Sequence, residues 1–304
     1  VVTGAVHVYR RAAGQWELAQ TLHMAQPRDS AGFGAALAID GDTLAVGEAE
    51  GLVPGGWGDN RAVHLFQRDG GRWQAAGVLQ RPDDLLVPPP LKEKSLAETG
   101  MARHAGFGAH LDLRGDRLVV SAMGAGALLS YRRSASGWQL AQRIDEPASD
   151  IGFPRTVALD GELLVAGALR ADGAQRDTGV AYLYREVDGR WQPAQTLSLP
   201  TGRTLDMFGH WVAADDGVVV AGAHGRLLNA GVAYAFRPGE SGWALDAVLN
   251  PPEAWRRRMS AYAVDLDAGT VVMSPGEELV SGTPLAAPGP GGVFVVRLAS
   301  AQAG

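Results

Sequence analysis

Two patterns of alternating apolar and polar residues take turns along the chain. The first leaves a glycine, alternates toward an aromatic residue, crosses a short turn and reaches a tryptophan. It reads GAVHVYRRAAGQWELAQTL from Gly4, RAVHLFQRDGGRWQAAGVL from Arg61 and GALLSYRRSASGWQLAQRI from Gly126. It returns as GVAYLYREVDGRWQPAQTL from Gly179, GVAYAFRPGESGWALDAVL from Gly231 and a fragment, GGVFVVRL, from Gly291. The second pattern falls between these copies: GFGAALAIDGDTLAVGE from Gly32, GFGAHLDLRGDRLVVSA from Gly106 and GFPRTVALDGELLVAGA from Gly152. Its last copies are MFGHWVAADDGVVVAGA from Met207 and SAYAVDLDAGTVVMSPG from Ser260. Period-two alternation on both sides of a tight DG or DD turn predicts a β-hairpin. Each repeat therefore supplies two hairpins, or four short antiparallel strands.

The tryptophans of the five full copies, Trp16, Trp73, Trp138, Trp191 and Trp243, lie 52 to 65 residues apart. Four strands at that period predict an all-β propeller, in which small sheets stack radially because none can bury both faces alone. The Tyr or Phe and the Trp of each copy then serve as packing between blades. In wording and spacing, FG-x-(A/S)-x-A-(I/L)-DGD-x-L-x-VG(A/E) with G-x-V-x-V-(Y/F) and W-x-x-x-Q-x-L resembles bacterial FG-GAP repeat proteins, relatives of the integrin α-subunit N-terminal propeller. The resemblance spans nearly the whole chain. Pro154 stands where that pattern has glycine, and Tyr262-Ala263 stands for Phe-Gly, so distorted first strands are expected in those copies.

One propeller domain is expected over 1–304. It divides into a partial blade at 1–31, blades at 32–80, 106–145, 151–198 and 207–250, and an incomplete closing blade at 260–298. Residues 81–105 form an insertion loop in which LKEKSLAETG could make a short helix. The N-terminal copy has no inner hairpin of its own. The resulting expectation is an incomplete six- or seven-bladed ring, with a five-bladed ring as the alternative.

Turns within hairpins are short, while connections between hairpins are long and varied. With up-and-down strands the two sets emerge at opposite ends of each sheet, and function in scaffold folds concentrates on the long loops. The binding-face candidates are Trp57, Arg103, His104, Arg170, Trp255, Arg256, Arg257 and Arg258, since exposed Trp and Arg anchor recognition surfaces. Each could instead cover apolar surface beneath its own loop.

Composition narrows the chemistry. The chain has 304 residues and a net charge of −6, which gives nucleic acid or anionic lipid nothing to attract. No apolar run reaches bilayer length, so no membrane insertion is expected. There are no cysteines, which removes disulfides and thiolate chemistry. No signal peptide is visible in this chain, and a secreted or cell-envelope protein is expected from the resemblance. Arg114-Gly115-Asp116 spells an adhesion tripeptide but falls in a hairpin turn. No cofactor is expected. The one Ca²⁺ candidate is Asp172 with Asp177 in RADGAQRDTG, for which a solvated loop is the other reading. His104 and His110 flank an FG motif, and His210 is placed in the slot of His110, which suggests a structural role. Sequence motifs of hydrolases, metalloproteases and nucleotide binders are missing. The functional expectation is a non-catalytic module that presents a loop-rich face to a protein or glycan. The alternatives are a polysaccharide hydrolase or lyase using the propeller channel, and a purely architectural repeat.

Overall fold

The computed structural model describes residues 3–27, 32–48, 52–53, 56–57, 62–86, 106–147, 152–251, 261–274 and 293–298. The chain is an all-β propeller with five antiparallel blades; four are four-stranded, and the described residues of the fifth supply three strands. The expected six- or seven-bladed ring is thereby corrected to its five-bladed alternative. Two compact units divide the chain at residues 146 and 147.

The first unit opens with a hairpin, β1 (Val6–Ala12) and β2 (Gln15–Leu22). Blade one follows as β3 (Phe33–Asp40), β4 (Thr43–Glu48), β7 (Ala62–Asp69) and β8 (Arg72–Gln80). A ribbon of β5 (Leu52–Val53) and β6 (Gly56–Trp57) interrupts its middle connection. Blade two comprises β9 (Phe107–Arg114), β10 (Arg117–Ala122), β11 (Ala127–Ser134) and β12 (Gly137–Asp145). Of the 81–105 insertion, the structure describes a 3₁₀ turn at Asp83–Leu86; the helix expected from LKEKSLAETG lies outside the described residues.

The second unit holds three blades. Blade three has β13 (Val157–Asp160), β14 (Leu163–Ala168), β15 (Val180–Val187) and β16 (Arg190–Leu197). Blade four has β17 (Phe208–Asp215), β18 (Val218–Ala223), β19 (Val232–Gly239) and β20 (Gly242–Leu249). Blade five shows β21 (Ala263–Asp267), β22 (Thr270–Ser274) and β23 (Phe294–Arg297). β13 and β21 are the short first strands, in the two copies that depart from the FG pattern.

Neighbouring blades are joined by the repeat's own residues. The Gln of W-x-x-x-Q reaches the backbone of the next blade's tryptophan. Gln195 donates to the Trp243 carbonyl at 2.9 Å and accepts from its amide at 2.7 Å. Gln20 makes the same pair of bonds to Trp73. The turn aspartates make a second latch: Asp40 accepts from the Gly115 amide, Asp160 from Gly217 and Asp215 from Ala268, at 2.6–2.9 Å. The DG turn of this repeat is thus a fastening between blades, and Gly115 of the RGD tripeptide is one of its partners. Gln195→Ala removes two hydrogen bonds and strands two backbone groups, so a loss of about 1–2 kcal/mol is expected. At about 2–4 °C per kcal/mol, thermal unfolding should show a clear drop, and an unchanged midpoint would refute the latch.

Apolar faces complete each contact. Leu111 and Leu113 of blade two bury against Ala38, Ala45, Val63 and Leu65 of blade one. Val212 and Ala214 of blade four bury in the same way against Ala158, Val165, Ala181 and Leu183 of blade three. Trp73 and Trp191 are buried as expected of core aromatics, whereas Trp16 in the β1–β2 hairpin is exposed.

Candidate functional site

The FG motif does more than pack a phenylalanine. After Phe208 the β17–β18 register skips two residues, so Gly209 and His210 bulge out of the ladder. The same bulge carries Gly34 and Ala35 in blade one. Bulges re-aim side chains and recur beside functional sites. The residue after the FG glycine stands five positions before the turn residue of its blade. Counted back from Asp40, Arg114, Asp160, Asp215 and Asp267, that slot holds Ala35, Ala109, Arg155, His210 and Tyr262. Blades one and two keep alanine there. Blades three, four and five replace it with arginine, histidine and tyrosine, and those three side chains meet.

Arg155 Nη2 lies 3.5 Å from His210 Nε2, and His210 Nδ1 lies 3.0 Å from the Tyr262 carbonyl oxygen. A carbonyl can only accept, so Nδ1 carries the proton and Nε2 presents a lone pair to the guanidinium. The Tyr262 side chain also hydrogen-bonds Arg155. His224, one residue beyond β18, packs its ring edge-on to His210 with centroids 4.2 Å apart. Its ring is 5.5 Å from that of Tyr262. Both histidines are buried.

The backbone holds this arrangement from two sides. Arg155 donates its amide to the Gly167 carbonyl at 2.7 Å. Thr156 Oγ1 accepts from the Val212 amide at 3.0 Å and donates to the His210 carbonyl at 3.4 Å. Blade three is thus tied to blade four directly beneath the cluster.

Electrostatics set the protonation states. Burial, and after it the charge of Arg155, lowers the His224 pKa to about 4, so its imidazole is neutral at neutral pH. Burial also lowers the Arg155 pKa, with Tyr262 opposing the shift. His224 Nδ1 is buried without a hydrogen-bond partner. Such an atom costs free energy unless something binds it, and functional sites are where that cost is tolerated. The cluster therefore offers a cation, a neutral histidine with an unused ring nitrogen and a phenol. That set can polarise a carbonyl, hold a developing oxyanion and accept a proton from water.

Sequence reasoning missed this site by an alignment error of one residue. Matched on the turn, His110 corresponds to Trp211, and the counterpart of His210 is Ala109. Tyr262 likewise fills the His210 slot and not that of phenylalanine, while Ala261 takes the glycine position with φ 60°. The signal that could have found it was the turn aspartate, used as the register mark.

Arg170 is exposed in the connection after β14, and Trp57 lies in β6, paired with Leu52. Arg103, His104, Trp255, Arg256, Arg257 and Arg258 lie outside the described residues. Asp172 Oδ1 accepts from the Asp177 amide at 3.0 Å, and the Asp177 carboxylate lies 3.5 Å from Arg176 Nε. Among the described residues no group of three or more His, Asp or Glu is placed to hold a metal ion. In the first unit Glu48 and His64 form a buried pair at 2.9 Å.

The chain matches no protein-family model and no curated protein by sequence, so the propeller fold stands while an FG-GAP or integrin kinship is not shown. Solved structures do match. One is a candidate 6-phosphogluconolactonase from Bacteroides uniformis, with 12% identity and a TM-score of 0.57, covering 89% of this chain and 70% of that one. Another is the periplasmic gluconolactonase of Pseudomonas aeruginosa, with 18% identity and a TM-score of 0.56, covering 88% and 71%. At such identity the likeness shows the fold. Both neighbours are nonetheless described as lactonases, which overturns the expectation of a non-catalytic binding module. Its hydrolase alternative fits better.

Proposed function

We propose that the protein is a hydrolase of small sugar-derived lactones and that Arg155, His210, His224 and Tyr262 form its active site. The observation that carries this reading is the replacement of the bulge alanine by Arg155, His210 and Tyr262 in three successive blades, with the unpartnered Nδ1 of His224 among them. The descriptions of the two structural neighbours support the substrate class. The periplasmic description of the Pseudomonas neighbour supports an envelope location, and the repeat wording supports an FG-GAP-type origin.

In this mechanism the lactone carbonyl oxygen faces the Arg155 guanidinium. His224 Nδ1 takes a proton from water as the water oxygen adds to the carbonyl carbon. Charge building on the former carbonyl oxygen is stabilised by Arg155 and Tyr262. Collapse re-forms the C=O bond and breaks the ring C–O bond. The proton held by His224 passes to the departing ring oxygen, and the product is the open-chain hydroxy acid. His210, held in one tautomer by the Tyr262 carbonyl, orients Arg155.

Acid release from δ-gluconolactone and from its 6-phosphate, followed by pH-stat, tests the proposal. A rate above spontaneous opening is expected. The acid limb of kcat/KM should fall near pH 4, because activity requires neutral His224 and is lost as pH drops through its folded pKa. His224→Asn should abolish that limb along with most of the rate. Rates equal to the uncatalysed background across a panel of aldonolactones would sink the reading.

A further inference from the structure

His224 stands one residue beyond β18, on the turn that leads into β19, and His210 stands near the start of β17. An ion pair that the proposed chemistry does not use joins these two segments. Asp206, four residues before His210, meets the guanidinium of Arg226, two residues after His224. The two side chains are 5% and 17% exposed. Arg226 Nη1 also donates to the Thr201 carbonyl at 2.8 Å, and Nη2 donates to Thr201 Oγ1 at 3.2 Å. The buried Tyr234 side chain hydrogen-bonds the same guanidinium. Tyr234 in turn rests edge-on against Phe208 with ring centroids 5.9 Å apart, and the bulge that holds His210 begins there.

The backbone around this pair adopts conformations that side chains of its size avoid. Leu205 and Met207 flank Asp206, Leu227 follows Arg226, and their φ angles are 66°, 55° and 54°. Met207 fills a slot that is glycine in blades one to three, as Gly32, Gly106 and Gly152, all with positive φ. Strained residues of this kind persist only where their surroundings over-determine them, and they gather where geometry serves function. The two segments also touch directly. Gly225 donates its amide to the Asp206 carbonyl at 3.2 Å, and a Cβ on Gly225 would fall inside the envelope of the Leu205 carbonyl oxygen. The Asp206 carboxylate further accepts from the Arg203 amide at 2.8 Å. An ion pair so deep repays little beyond its own desolvation, and its best use is to fix one arrangement over others.

We infer that Asp206 and Arg226 are the positioning pair of the proposed site. They fasten the turn of His224 onto the segment that runs into the His210 bulge. That fixes the edge-on packing of the two rings, 4.2 Å apart, and with it the place where His224 Nδ1 is presented. The groups that face His224 are His210, Tyr262 and Arg155, and the charge that acts on its ring is that of Arg155. The pair therefore works through where the ring sits, by keeping it buried. Its part in hydrolysis rests on the lactonase reading, whereas the placement of the rings does not.

Titration of the His224 ring nitrogens by NMR in the full chain tests the pair independently of activity. The His224 pKa of about 4 comes first from burial. Arg226→Met and Asp206→Asn should each free the turn, admit water to the ring and raise that pKa to about 5 or higher, toward the ordinary histidine value. The direction is the same for both, although one substitution removes a positive charge and the other a negative one. Shifts of opposite sign would mean that the pair acts on His224 through charge alone and would overturn the inference, as would an unmoved pKa in either variant. Arg226→Lys keeps a charge opposite Asp206 but gives up the fork on Thr201, and it should recover part of the shift. It carries the test together with Asp206→Asn if Arg226→Met folds too weakly to titrate. Where lactone hydrolysis is found, kcat should fall by about 10–10²-fold in Arg226→Met with KM little changed, and the acid limb should move up with the His224 pKa. A chain without lactonase activity whose His224 still responds in this way would remove the lactonase reading and leave the positioning pair standing.

Discussion

Arg155→Met is expected to reduce lactone hydrolysis by about 10²–10³-fold, the usual cost of removing one group that holds a developing oxyanion. Three features make this the most sensitive position in the proposed site. Arg155 is the only cation of the cluster at neutral pH, since burial and the arginine itself keep His224 neutral. Its guanidinium reaches His210 and Tyr262, so it also sets where they sit. Its side chain lies largely within the fold, where charge acts through a lower effective dielectric than water. The variant carries a second readout. Removing the positive charge leaves burial as the main force lowering the His224 pKa, so that pKa rises toward its ordinary value and the acid limb of the residual activity moves to higher pH. A merely structural arginine would change the thermal midpoint without moving the limb. Arg155→Lys should recover only part of the loss, because an ammonium cannot reproduce a planar fork. Unchanged kcat/KM in Arg155→Met would remove Arg155 from the mechanism.

How much of this is legible in the sequence depends on which residues repeat. Hairpins were readable because apolar alternation and DG turns report strand and turn directly, and blade spacing was readable from the tryptophans. Pro154 and the Ser260 copy were readable as disturbed first strands, and β13 and β21 are indeed the short ones. The site was not readable, for two physical reasons. Its residues lie 52 to 55 positions apart in chain order, Arg155 to His210 to Tyr262, so no local spacing joins them. They also sit where the period-two pattern loses its phase: His210 in a bulge that leaves the ladder, Arg155 and Tyr262 just ahead of the first paired residues of β13 and β21. A slip of one position turned a set of Arg, His and Tyr into a scatter of single residues.

Gly167→Ala is the substitution expected to damage the fold most for the least added volume. Gly167 ends the V-A-G segment of β14, and a methyl group built on it would fall inside the van der Waals envelope of the Gly209 carbonyl oxygen. The clash is with backbone, so no rotamer change relieves it. The same glycine-on-backbone contact joins Gly47 to Gly108 in the first unit and Gly222 to Ala261 between blades four and five. The repeat needs it because the blades approach closest where the bulge of one meets the second strand of the other. Relief requires blades three and four to separate. That would open the Thr156 bonds to Val212 and His210 and expose part of an interface built on Val165, Leu183, Phe208 and Val212. Overpacking of this kind costs about 1–3 kcal/mol in a core that can yield, and more is expected where only backbone can move. A midpoint lowered by about 10 °C follows, with loss of hydrolysis, since Arg155 and His210 stand on opposite sides of the strained contact. Gly161→Ala provides the control. Gly161 has φ 56° in the β13–β14 turn, but its added methyl meets nothing, so only the left-handed backbone is penalised, at about 1 kcal/mol. Equal shifts in the two variants would mean that conformational strain governs both sites. Close approach of blades would then not be what glycine provides at position 167.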